Sequence, residues 1–223
     1  MAIDGTCASG KSTTARIAAK RLKWLFLDTG AMYRAVAFEI LRRCVDPEDE
    51  KKVSEIVGEI TLTVKPSSDG QRTFIGNEDI SSFLRTPEID RAVTPVSKFK
   101  KVRERMVYLQ RKIGGEREII CEGRDMGTIV FPDAELKIYI DANLEVRALR
   151  RQKEMQNKNI FLTLEEIKED LKRRDFEDSS REESPLKMAA DAIMLDTTKL
   201  TIDQEVDWVI KKIKERYKHV LAV

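Results

Sequence analysis

The chain has 223 residues, 41 of them Lys or Arg and 39 Asp or Glu, for a formal net charge of +2. That balance argues against a general nucleic-acid binder, which carries a basic excess, and a hydrophobic share of 41% excludes a disordered chain. The length suits one sizeable α/β core with appendages. No apolar run approaches the roughly 18 residues of a membrane span, and no leader is evident, so a soluble, cytoplasmic protein is expected. Cys7, Cys44 and Cys121 lack metal-ligand spacing and are read as reduced thiols. The single histidine, His219, is read as a surface residue, which leaves no histidine-based general base or metal site.

Taken in chain order, Met1-Ala2-Ile3-Asp4 is predicted as a short buried strand, as if its true start lay upstream. It runs into Gly5-Thr6-Cys7-Ala8-Ser9-Gly10-Lys11-Ser12, which fits the phosphate-loop pattern G-x-x-x-x-G-K-[ST]. Gly5 and Gly10 let the backbone turn so that successive N–H groups converge on phosphate oxygens. Lys11 supplies a point charge for the β- and γ-phosphates, and the Ser12 hydroxyl is placed to ligate Mg²⁺. Ala15, Ala18, Ala19 and Leu22 then recur at helical spacing, completing strand, glycine loop and helix.

Trp24-Leu25-Phe26-Leu27-Asp28 reads as the second strand, and Asp28-Thr29-Gly30 opens a helix with Tyr33 and Arg34 in its first turns. A hydroxyl and an arginine beside a helix N-terminus suit an anion, or only a capped helix with a solvated arginine. Pro47 is expected to open a helix to about Gly58. Alternating Ile60, Leu62 and Val64, a Pro66–Gly70 turn and Arg72–Ile75 then predict a small antiparallel meander. Thr86-Pro87 and Thr94-Pro95 are each expected to open a helix. The second carries Val102, Met106, Leu109 and Ile113 and stops at Gly114-Gly115. Its basic cluster, Lys98 to Arg105, reads as a solvated face.

Glu118-Ile119-Ile120-Cys121 is a buried-strand candidate delivering Glu122-Gly123-Arg124-Asp125 at its carboxyl end, where open α/β sheets bind ligands. Leu136 to Asp141 is another strand, followed by a helix carrying Arg147, Arg150 and Arg151. Thr163 and Glu166 form a capping box for a helix that ends in Arg173 to Asp178, with Arg181 just beyond. These two arginine-rich helices look like a mobile cover. Ala189 to Asp196 supplies the last strand, and Ile202, Val206, Val209, Ile210, Ile213, Tyr217 and Leu221 mark a closing helix. About five strands alternating with helices predict a five-stranded parallel sheet covered on both faces.

With these stretches in hand, the chain resembles the bacterial-type cytidylate kinases of the nucleoside monophosphate kinase family. The carriers are the loop Gly5–Thr13, Asp28–Arg34, Val102-Arg103, Gln110-Arg111, Glu122–Thr128, Val130–Ala134, Arg174–Asp178 with Arg181, and Asp191-Ala192. The resemblance covers nearly the whole length. It implies a P-loop core (1–31, 116–148 and 187–223), a monophosphate-binding domain (32–115) containing the meander, and a helical lid (149–186). It implies transfer of the γ-phosphoryl of ATP to CMP or dCMP with Mg²⁺ by a monomer with small-molecule substrates, neither nucleic acid nor membrane being a partner. By position, Gly5, Thr6, Cys7, Ala8, Ser9, Gly10, Lys11, Ser12 and Thr13 would hold ATP. Thr29, Arg34, Thr94, Arg103, Arg124 and Asp125 would hold the acceptor's base and phosphate. Arg174 and Asp178 would hold its ribose, and Arg181 its phosphate. Lys11, Arg150, Arg174 and Arg181 would stabilise the transferring group. A carboxylate such as Asp125 suits the cytosine amino donor and repels the uracil carbonyl. Its other reading is a magnesium-site acid at a strand end. A P-loop kinase for another nucleotide or for shikimate, and a nucleotide switch, are the alternatives; the latter lacks an N-K-x-D stretch.

Overall fold

In the computed structural model the described residues are 1–115 and 117–217. The readings of His219 and Leu221 therefore lie outside them. Five strands, β1 (Ala2–Gly5), β2 (Leu25–Asp28), β6 (Ile119–Gly123), β7 (Lys137–Asp141) and β8 (Ile193–Asp196), form one sheet in the order β2-β6-β1-β7-β8. The remaining three, β3 (Leu62–Ser67), β4 (Gly70–Ile75) and β5 (Glu78–Asp79), form the expected antiparallel meander. β1 and β6 are buried along their whole length, as parallel strands covered on both faces must be.

The chain divides into two compact units, Met1–Lys23 with the chain from Glu122 onward, and Trp24–Cys121. In the first, β7 pairs in parallel with both β1 and β8. The register sets Gly5 opposite Ile140. Helix α1 (Lys11–Leu22) buries Ala15, Ala18 and Ala19, whose small side chains let it lie close to β1. It also packs on α8 (Ile202–Arg216), which starts at a Thr201–Gln204 capping box and buries Val206, Val209 and Ile213. Helices α6 (Leu144–Gln156) and α7 (Leu164–Ser180) pack on each other through Ala148, Ile167 and Leu171. The expected Thr163–Glu166 capping box is present.

The second unit holds α2 (Thr29–Arg42), α3 (Glu50–Glu59), the meander, α4 (Pro87–Val96) and α5 (Lys100–Gly114). Asp28 caps α2 by accepting from the Ala31 N–H at 2.8 Å. The meander pairs Leu62 with Ile75 through to Ser67 with Gly70, leaving a two-residue loop at Ser68 and Asp69.

Several boundaries differ from expectation for physical reasons. Pro95 does not open a helix; it lies inside the last turn of α4. Ile89, Ala92 and Val96 share one buried face and carry the helix past it, and α5 starts only at Lys100. α3 starts at Glu50 rather than near Pro47, because Asp49 accepts from the Lys52 N–H and sets the start. β8 is confined to Ile193–Asp196, since Ala189–Ala192 forms a turn closed by the Ala192 N–H on the Ala189 carbonyl. A π-helical turn, Met126–Val130, follows β6.

Candidate functional site

The phosphate loop emerges from β1 where a side chain has no room. A Cβ on Gly5, whose φ is +151°, would lie 1.9 Å from the Ile140 carbonyl oxygen. Ala8 (φ 60°) and Gly10 (φ 98°) add further left-handed turns, so loop N–H groups can face a common anion. The Thr6 hydroxyl donates to Asp141 at 2.6 Å, and Ser9 Oγ and Lys11 Nζ both donate to the Thr6 carbonyl at 3.0 and 2.9 Å. Lys11 is buried, and burial pulls its ammonium down to about 8, with Arg124 adding to the fall and Glu122 opposing it.

The loop is braced from behind. Thr197 Oγ1 and Arg150 donate to the Ser9 carbonyl at 2.9 and 3.1 Å. Arg150 also reaches Thr197 and Glu205, and the fully buried Glu205 accepts from Thr14 Oγ1 at 2.6 Å. Burial raises the Glu205 carboxyl above its usual range. Arg147 donates to the carbonyls of Ala142 and Cys7 and to Asp175 on α7 at 2.6 Å, which ties α6, α7 and the loop together.

Beside the loop stands the carboxyl end of β6. Ser12 Oγ donates to Glu122 at 2.7 Å, which brings a hydroxyl and a carboxylate, both hard oxygen donors, together. Arg124 Nε donates to Asp178 at 2.7 Å, and Arg181 reaches the same carboxylate at 3.4 Å. Burial disfavours the Arg124 charge, but Asp178 and Glu122 outweigh it and raise its pKa; burial is likewise outweighed by Arg124 and Arg181 at Asp178, which is lowered. Arg174, by contrast, pairs with Asp170 on its own helix at 3.1 Å. The structure thus groups Lys11, Ser12, Glu122, Arg124, Asp178 and Arg181, while Arg150 faces the back of the loop.

In the second unit, Thr29 is buried at the start of α2, and Arg34 one turn on pairs with Asp90 of α4 at 3.1 Å. Burial lowers the Arg34 pKa, the neighbouring Arg85 charge adds to this, and Asp90 opposes it. Arg85 in turn pairs with the Asp28 carboxylate. Gln71 of the meander accepts from the Asp28 N–H and donates to its carbonyl, at 2.8 and 3.2 Å. Arg103 is buried, donates to the Ser97 carbonyl and lies 5.3 Å from the Tyr33 ring centroid. The Thr94 carbonyl accepts from Ser97 Oγ at 3.0 Å. Glu122, Asp28, Arg85, Asp90 and Gln71 were not singled out as site residues from sequence, because their roles rest on partners distant in the chain.

Residues 1–215 match the family model described as cytidylate kinase. A cytidylate kinase from Lactobacillus gasseri is 45% identical over 98% of this chain and 95% of its own length, and one from Enterococcus faecalis is 44% identical over 97% and 96%. Among solved structures, an uncharacterized protein from Eubacterium ventriosum superposes with a TM-score of 0.50 at 12% identity, covering 96% of this chain and 98% of that one, a likeness of fold alone. Among the described residues no helix is long and apolar enough to cross a membrane.

Proposed function

The chain belongs to the cytidylate kinase family, and we infer that it transfers the γ-phosphoryl group of ATP to CMP or dCMP, giving CDP or dCDP and ADP. The observation that carries this reading is the loop that positions Lys11 and Ser12, with Glu122 of β6 on the Ser12 hydroxyl, within a family match spanning residues 1–215. Gly5 to Thr13 cradle the ATP phosphates, and Lys11 leaves the Thr6 carbonyl for the β- and γ-oxygens. Ser12 and Glu122 would hold Mg²⁺ through their oxygens. When bound, the ion neutralises charge on the phosphate oxygens.

A phosphate oxygen of the acceptor forms the new bond to the γ-phosphorus as the bond to ADP breaks. This chemistry needs positioning and charge rather than a covalent helper. The residues proposed to contact the acceptor are Thr29, Arg34, Thr94, Arg103, Arg124, Asp125, Arg174, Asp178 and Arg181. Arg150, Arg174 and Arg181 also meet the developing charge, and Arg150 braces the loop besides. Residues 149–186 act as the lid over a core of 1–31, 116–148 and 187–223, with 32–115 as the acceptor domain. The family membership supports a cytoplasmic monomer in pyrimidine metabolism, and the balanced charge supports small molecules rather than nucleic acid as partners.

The test is an ADP-release assay with Mg·ATP and CMP, dCMP, UMP, AMP, GMP or shikimate as acceptor. Strong turnover confined to CMP and dCMP is expected. Preferred turnover of another acceptor overturns the cytosine assignment and leaves a P-loop kinase.

A further inference from the structure

Asp4 is a carboxylate on β1 that the phosphoryl-transfer scheme above does not use. It is 5% exposed and lies immediately before the phosphate loop, yet its side chain points across to the turn after β6. Its two oxygens accept separately from the N–H groups of Met126 and Gly127, each at 2.8 Å. Those N–H groups belong to the first turn of the π-helical segment Met126–Val130, for which Asp125 is the capping residue by position. Asp125 makes no side-chain cap bond to that turn. An Asp or Asn at this position ordinarily accepts from the N2 or N3 N–H, and the N2 donor here is Gly127. Gly127 completes the fit, since a Cβ there would lie 3.4 Å from Asp4 Oδ2 and 3.1 Å from the Lys137 stem.

We propose that Asp4 is a positioning residue that caps the turn after β6 in place of Asp125, so that the Asp125 carboxylate is directed to the cytosine ring rather than to its own backbone. The inference rests on the reading of Asp125 as the base-recognising residue. Because Asp4 precedes Gly5, the residue that fixes the turn selecting the acceptor also leads into the loop that holds the donor. The arrangement carries an internal opposition. Burial raises the Asp4 carboxyl to about 6 against the pull of its two backbone hydrogen bonds. Its folded-state pKa exceeds the unfolded value, so the native state binds the extra proton between pH ~4 and ~6. Protonation at Asp4 there favours the fold while turning one of the two acceptor oxygens into a hydroxyl. The charged groups facing it are Asp125, which raises its pKa, and Arg124, which lowers it. Tyr139 of β7 feels the same charge, and the Lys137 ammonium is held away on Asp191.

The experiment compares the wild type with Asp4→Asn, and with Asp125→Asn as reference, in KM for CMP, KM for ATP, the CMP/UMP ratio of kcat/KM, and thermal midpoint, from pH 5 to 8. An asparagine satisfies one N–H and opposes the other with its amide. About a tenfold rise in KM for CMP is expected at pH 7.5, with KM for ATP within about twofold. The CMP/UMP ratio is expected to fall and the midpoint not to drop, since a buried charge has been removed. Wild-type KM for CMP is expected to rise below pH 6 more steeply than that of Asp4→Asn; the acceptor phosphate titrates at about 6 in both and cancels in the comparison. Equal rises in the two KM values, or a midpoint that falls in step with activity, would make Asp4 merely structural and overturn the proposal. So would an unchanged KM for CMP in Asp4→Asn alongside a CMP/UMP ratio altered by Asp125→Asn. If Asp125→Asn itself leaves that ratio unchanged, the base-reading role fails, and the Asp4 inference falls with it.

Discussion

Around Lys11 the chain offers an anion backbone N–H groups and one ammonium on a loop bent by Gly5, Ala8 and Gly10. Around Arg34 it offers side chains held by other side chains: Asp90 on Arg34, Arg85 on Asp28, and Gln71 on both backbone groups of Asp28. Both regions bury a cation whose pKa is lowered, chiefly by burial. They differ in what opposes that penalty. Lys11 donates to a neutral carbonyl, while Arg34 has a carboxylate 3.1 Å away. A buried cation bonded only to a carbonyl, with Arg124 adding to the penalty and Glu122 opposing it at longer range, costs the fold something, so removing it spares stability. A cation matched by a buried carboxylate is a coupled pair, and losing one member leaves the other uncompensated.

The largest effect expected to sharpen this contrast is on turnover. Lys11→Ala should lower kcat about 10²–10³-fold or more, by removing charge that acts on the transferring phosphoryl. Its thermal midpoint should stay within about 2 °C of wild type. Single-turnover kinetics and calorimetry check both, and a large loss of stability would erase the difference between the regions. The second effect is on the fold. Asp90→Ala should destabilise by about 3 kcal/mol in urea titration, because it strands the Arg34 guanidinium in a buried setting. It should also raise KM for CMP, while Asp90→Asn recovers part of the stability through a neutral hydrogen bond. A loss below about 1 kcal/mol for Asp90→Ala would mean that Arg85 and Arg34 relax into solvent and that the pairing is not structural.

The same contrast explains what could be read in advance. The phosphate loop is contiguous, and its spacing is dictated by backbone geometry, so Gly5 to Ser12 were legible as a unit. Local devices such as the Thr163–Glu166 capping box and the Gly114-Gly115 stop lie within a few residues and were legible for the same reason, as was a turn within Pro66–Gly70, which the pairing of Pro66 and Ser67 narrows to Ser68-Asp69. The pairs Ser12–Glu122, Arg34–Asp90, Arg147–Asp175 and Asp4–Gly127 were not, because each depends on which strand lies beside which. Arg150 shows a further limit. Its place among the lid arginines said nothing of its bonds to the Ser9 carbonyl and Glu205, which come from distant parts of the chain. Pro95 was misread because a proline is tolerated within a helix whose apolar face, Ile89, Ala92 and Val96, is already buried.

The central claim is that side chains, rather than backbone, select the acceptor, and Asp125 is where that claim is most exposed. The most direct measurement is the ratio of kcat/KM for CMP to that for UMP in wild type and in Asp125→Asn. The expected result is a fall of about tenfold to a hundredfold in the ratio, since an amide can face either the cytosine amino group or the uracil carbonyl. An equal loss for both nucleotides would contradict it, and would leave Asp125 as a structural acid at the end of β6.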